Sequence, residues 1–153
     1  MGNHLFDLLL NKPLISAVIA WALAQILKAF HARIFLKEFH LERLIGPGGM
    51  PSSHSATVVA LMVTIGRQEG LTSPLFAIAF ALALIVMYDA MSVRRQAGEH
   101  AKALNIIIQQ MLDENQNSDQ RLHAFKEVLG HTPLQVLAGI VLGVVVGFLM
   151  PMG

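Results

Sequence analysis

Gly46-Pro-Gly-Gly-Met-Pro-Ser-Ser-His-Ser-Ala-Thr57 runs straight into Val58-Val-Ala-Leu-Met-Val-Thr-Ile-Gly66. Gly and Pro interrupt the chain, and Ser and His then open an apolar helix. From Ser52 to Gly66 that helix has roughly 15 residues, about 23 Å at 1.5 Å per residue. A bilayer core asks for about 17–20. Its first turn is therefore expected inside the membrane boundary, lining a polar cavity where protein or water satisfies the backbone. Helix-start N–H groups with the positive end of the dipole form an anion site. Ser52, Ser53 and Ser55 either cap this helix or hold anion oxygens, and His54 sits at its rim.

Outside this stretch lie three longer apolar runs: Pro13 to about Phe30, Pro74 to about Met91, and Pro133 to Met150. The whole chain has 153 residues, 54% apolar and only 14% charged. That is about half the charge of a soluble domain, so a membrane protein is expected. The length suits a single domain, residues 1–153. The fold class expected is all-α: a polytopic bundle of about four transmembrane helices. The first run could serve as a cleaved signal, but Asp7 and one Lys make a weak n-region and no clear small-x-small site follows. A retained helix is preferred. A net charge of +1 argues against a nucleic-acid partner. With no Cys there is neither a disulfide framework nor a thiolate site.

Charge sets the orientation. Of the 11 Lys and Arg, only Lys12 and Arg67 fall on one side. The other nine flank the two larger loops, which the positive-inside rule places in the cytoplasm, with both termini outside. For a bacterial source this is the cell membrane. Within the loop of residues 92–132, Ala97, Leu104, Ile107, Ile108 and Met111 recur at helical spacing, which predicts an amphipathic cytoplasmic helix against the bundle or the lipid surface. A second short helix is predicted over Arg121–Leu129.

Two further polar clusters lie on the cytoplasmic side. In Leu129-Gly-His-Thr-Pro133, Thr132 suits an N-cap and Pro133 the first helical position, which sets His131 just ahead of the last helix. His54 and His131, each at a helix N-terminus, can converge on one anion. The alternative is a His held in its loop by backbone bonds. In Tyr88-Asp89-Ala-Met-Ser-Val-Arg94-Arg95, Asp89 is costly to bury and should face a cavity or a partner. Arg94 and Arg95 either anchor the helix or grip phosphate bidentately. Gln25 and Lys28 share a face of the first helix, where Lys28 either snorkels or adds positive charge to the cavity. His4, His31, His40, His100 and His123 match no metal spacing, and neither a metal nor a cofactor is expected. Gly139, Gly143 and Gly147 form a small-xxx-small ridge, a packing face within the monomer or in a homo-oligomer.

At these residues the chain resembles the divergent branch of the PAP2 (type 2 phosphatidic acid phosphatase) superfamily, related to acid phosphatases and vanadium haloperoxidases. The resemblance runs from Gln25-Ile-Leu-Lys28 through Gly48–Ser55 and Tyr88–Gly98 to Gly130–Gly139. Typical members pair a Pro-Ser-Gly-His motif, which supplies an acid His, with a Ser-Arg-x5-His-x3-Asp motif, which supplies the His nucleophile. Pro51-Ser52-Ser53-His54 is similar to the first, and His131 is similar to the nucleophile. The chain departs at Phe125, where Arg is expected, and at Gln135, where the orienting Asp is expected. Lys37 and Arg43 stand one residue too close for the Lys-x6-Arg-Pro motif, and no Pro follows. Arg94 or Arg95 could replace the missing Arg, Lys28 or Lys37 the missing Lys, and Asp89 the orienting carboxylate.

The resemblance implies a phosphatase acting on a lipid-linked phosphate or pyrophosphate. His131, His54 and Asp89 would be catalytic, and Lys28, Ser52, Ser53, Arg94 and Arg95 would bind phosphate. The lipid tail would lie between helices. A non-catalytic anion or phospholipid binder on the same frame is the alternative. A small transporter subunit is weaker, since four short helices leave little room for a pathway.

Overall fold

The computed structural model describes residues 8–35, 49–114 and 131–152. Their order is α1 (Lys12–Phe35), α2 (Ser53–Glu69), α3 (Pro74–Met91), α4 (Val93–Glu114) and α5 (Pro133–Leu149). The bundle is all-helical. The helix predicted over 121–129, with Lys37, Arg43 and Phe125, lies outside the described residues.

The side-chain pattern explains why these segments pack as they do. Inward faces are built from small residues: Ala17, Ala20 and Ala24 on α1, Ala56 and Ala60 on α2, Ala79 and Ala83 on α3, Gly139 and Gly143 on α5. Large apolar side chains point outward, among them Val18, Ile26, Ile78, Ile85, Leu137 and Val141. In water such a surface would drive aggregation. In lipid, hydrocarbon is no worse a neighbour than Leu, and helices associate through small residues that let backbones approach. The tight centre is Ala20, Ala24, Ala56, Ala60 and Val146, with Leu142 against it.

Among the described residues, two helical runs suffice by length and apolarity to cross a membrane: Lys12–Arg33 and the run beginning at Pro74. At 17 residues each, α2 and α5 sit at the practical minimum. The sequence anticipated this for α2, whereas α5 is a residue shorter than its apolar run.

α2 is the central helix, packed against α5, α1 and α3. It runs antiparallel to α1: Thr64 near its end donates from Oγ1 to Ser16 Oγ near the start of α1 (2.8 Å). Gly70 (φ +84°), the Ser73 cap and Pro74 at the first helical position then turn the chain into an antiparallel α3. α5 runs alongside α2, and the glycine ridge explains how closely. A Cβ on Gly139 would come within 2.5 Å of Ser52 O, and one on Gly143 within 2.6 Å of Ala56 O. The ridge is therefore consumed inside the monomer by α2, and a second copy could reach Gly139, Gly143 and Gly147 only by displacing that helix.

At the opposite end Arg67 donates through Nη1 to the carbonyls of Gly147, Phe148 and Met150 (2.7, 2.7 and 2.8 Å). These are the orphan carbonyls of the α5 C-terminus, and a cation is well placed there. Arg67 is thus a structural clamp as well as a charge in the topology argument. α4 confirms the predicted amphipathic helix. It contacts α3, with Gly98 and Ala101 buried, while Leu104 and Ile107 remain exposed.

Candidate functional site

One end of the bundle gathers the end of α1, the start of α2, the end of α3 and the start of α5. Two backbone bonds lock these pieces together. Ser52 N–H donates to Gln135 O (2.9 Å), and His131 N–H donates to Ala90 O (2.9 Å). The first ties the α2 start to α5; the second ties the residue ahead of α5 to the last turn of α3.

On this frame the His54 and His131 rings lie with centroids 6.2 Å apart and planes inclined by 58°. The convergence expected of the two helix starts is present. His54 is exposed, whereas His131 is 5% exposed. The His131 ring is held by Gln135, whose Oε1 lies 3.2 Å from Nδ1. An amide oxygen can only accept, so Nδ1 is the donor in this pair, an arrangement that in the neutral ring leaves the lone pair on Nε2. The same Oε1 accepts the Thr132 N–H (3.1 Å), and Thr132 Oγ1 accepts the Gln135 N–H (3.4 Å), a reciprocal capping box. One side chain thereby closes the helix start and fixes the imidazole.

Ser52 is the N-cap of α2 and is fully buried. Its Oγ accepts from Ser55 N–H (3.4 Å) and Ser55 Oγ (3.0 Å), and its own N–H goes to Gln135. Ser52 thus takes the capping role, one of the two expected of it. Ser53 begins the helix proper, 4% exposed, and its carbonyl accepts Thr57 Oγ1 (2.7 Å). As the first helical residue its N–H has no intrahelical acceptor and suits an anion.

Lys28 is 6% exposed and has no hydrogen-bond or ion-pair partner among the described residues. A buried ammonium without a counter-charge is costly, and an anionic ligand removes that cost. The stem passes Gly49, where an added Cβ would stand 3.0 Å from Lys28 Cγ and 3.1 Å from Cδ. Gly49 also has φ +87°. Two independent demands, conformation and space, fix glycine there. The Gly-Gly run was visible in the sequence, but its contact with α1 was not. One turn earlier, Gln25 Oε1 is buried with no hydrogen-bond partner among the described residues.

Asp89 is half-buried in the last turn of α3, beside Ala90. Gln135 Oε1 is the group that faces Nδ1 of His131, at 3.2 Å. Arg94 and Arg95 lie in the first turn of α4. Arg95 is exposed and makes no hydrogen bond or ion pair with a described residue; the Arg94 side chain lies outside the described part. This end of the bundle thus carries a close pair of histidines at two helix starts, with buried Lys28 against Gly49 just ahead of α2. Neither candidate arginine is shown to join it.

Comparison with known proteins agrees with this frame. Residues 9–146 match the model of the divergent PAP2 family. The chain is also 37% identical over 146 residues to the uncharacterized membrane protein YuiD of Bacillus subtilis (strain 168), covering 90% of this chain and 92% of that one. No solved structure matches. The chain belongs to the divergent PAP2 family.

Proposed function

We propose that this chain is an integral-membrane phosphatase that hydrolyses a lipid-linked phosphate or pyrophosphate through a phosphohistidine. The observation that carries this reading is the His54–His131 pair at 6.2 Å, with Nδ1 of His131 held by Gln135. A nucleophile needs its phosphorus within about 3–3.5 Å, and an acid needs its leaving oxygen within about 2.6–3.2 Å. Two rings this close can serve one phosphoryl group.

In the first step Nε2 of His131 forms a bond to phosphorus while the bond to the leaving oxygen breaks. His54, as imidazolium, gives that oxygen its proton. In the second step neutral His54 takes a proton from water, whose oxygen attacks phosphorus and releases His131 and inorganic phosphate. Lys28 and the Ser53 N–H stabilise negative charge on the phosphoryl oxygens. The excess of Lys and Arg in the larger loops supports a cytoplasmic placement of this face.

A second reading is a binder of phospholipid headgroups that does not turn over. It is favoured by a neutral Gln135 where a carboxylate would stabilise the imidazolium better. Phosphate release from a panel of lipid phosphates in detergent, with and without chelator, decides between them. Release that survives chelator and disappears in His131→Ala supports the phosphatase. Saturable lipid-phosphate binding by folded protein, without release, supports the binder.

A further inference from the structure

α3 and α5 are both packed on α2 but touch each other only slightly, which leaves a cleft of about 720 Å³ between them. It is lined by Ile85, Tyr88 and Met91 on α3 and by Pro133, Leu137 and Ile140 on α5, among others. We infer that this cleft seats one hydrocarbon chain of the lipid whose phosphate lies at His131; the inference rests on the lipid-phosphate reading above.

Position is the first argument. The cleft occupies the site end of both helices, and its rim shares backbone with the site. Met91 follows Ala90, whose carbonyl holds the His131 N–H, and Pro133 stands two residues after His131. Chemistry is the second. The lining is aliphatic and thioether apart from Tyr88, and no charged residue contributes among the described residues. Its volume lies within the roughly 300–1,000 Å³ of sites that enclose a small ligand.

The surrounding bilayer is as apolar as the cleft, so a chain gains little by moving from one to the other. The cleft therefore acts by shape and alignment. A chain lying between α3 and α5 presents its phosphate at the rim where His131 stands. Specificity for chain length and branching then resides in Ile85, Leu137 and Ile140, which touch no reacting atom.

The test uses the full chain in lipid nanodiscs with two photoreactive probes. One is a long-chain alkyl phosphonate, which cannot be hydrolysed, with a diazirine in mid-chain. The other is the alcohol with the same chain and diazirine. The phosphonate should label residues 84–91 and 133–140 at least about tenfold more than the alcohol, competed by unlabelled alkyl phosphate. Lys28→Ala should remove the excess. Leu137→Trp, which fills the cleft, should cut the labelling of residues 84–91 and 133–140 and weaken phosphonate binding. Saturable phosphonate binding with label elsewhere overturns the cleft and leaves the lipid-phosphate reading intact. Labelling by the two probes alike, with no competition, overturns both.

Discussion

His131 and Gln135 are joined side chain to side chain, Nδ1 to Oε1 at 3.2 Å, through the oxygen that also accepts the Thr132 N–H. The orientation of the His131 ring and the capping of α5 thus depend on one amide. Gln135→Leu should lower kcat about 10- to 100-fold, or about 1.4–2.7 kcal/mol in the barrier. It should also cost about 0.5–2 kcal/mol of stability through the lost cap. Gln135→Glu keeps an acceptor in place and should stay within a few-fold of the native kcat. Thermal melts alongside phosphate-release kinetics separate the two effects.

On the proposed reading, Lys28 is buried for binding at the expense of stability. Lys28→Met retains the volume and removes the uncompensated charge. The variant should melt at a higher temperature while its KM for a lipid phosphate rises about tenfold or more, or about 1.4 kcal/mol. A lower melting temperature with unchanged KM would show that the ammonium is paired and plays no part in binding.

Gly49 and Gly70 provide a matched pair. Both have positive φ, but a Cβ on Gly49 would press on Lys28 whereas one on Gly70 meets nothing within 4 Å. Alanine at either should cost about 1–3 kcal/mol in backbone strain. Only Gly49→Ala should also raise KM, through the displaced lysine. Denaturant melts and kinetics on the two variants read out the difference.

Arg67 and Gly143 separate fold from site. Arg67→Ala removes three charge-assisted bonds to the α5 carboxyl end and should destabilise by about 1.5–3 kcal/mol. It should leave kcat unchanged, because it lies at the far end of α2 and α5 from His131. Gly143→Val forces α5 away from α2 and should reduce both stability and kcat, since the Ser52–Gln135 bond spans the same interface.

Most of the architecture was legible from local signals. Ser73-Pro74 and Thr132-Pro133 mark helix starts, and the four apolar runs coincide with α1, α2, α3 and α5 to within a few residues. The pairing of His54 with His131 followed from placing both at helix N-termini on one side. What stayed hidden depends on neighbours distant in sequence. Ser52 caps α2 through the nearby Ser55, but that its N–H is tied to the Gln135 carbonyl is written nowhere in residues 46–57. The same holds for Gly49, whose second constraint comes from Lys28. The glycine ridge was read as a packing face, but only the position of α2 shows that it is filled from within.

The central claim is that His131 attacks phosphorus, and trapping the intermediate tests it most directly. Purified protein would be mixed with a phosphorus-32-labelled lipid phosphate, quenched in base within milliseconds and mapped by peptide mass spectrometry. The account predicts a base-stable, acid-labile phosphoryl group on His131, absent from His131→Ala and accumulating in His54→Ala if water attack limits turnover. Native phosphate release by His131→Ala, or a phosphoryl group on another residue, would contradict it.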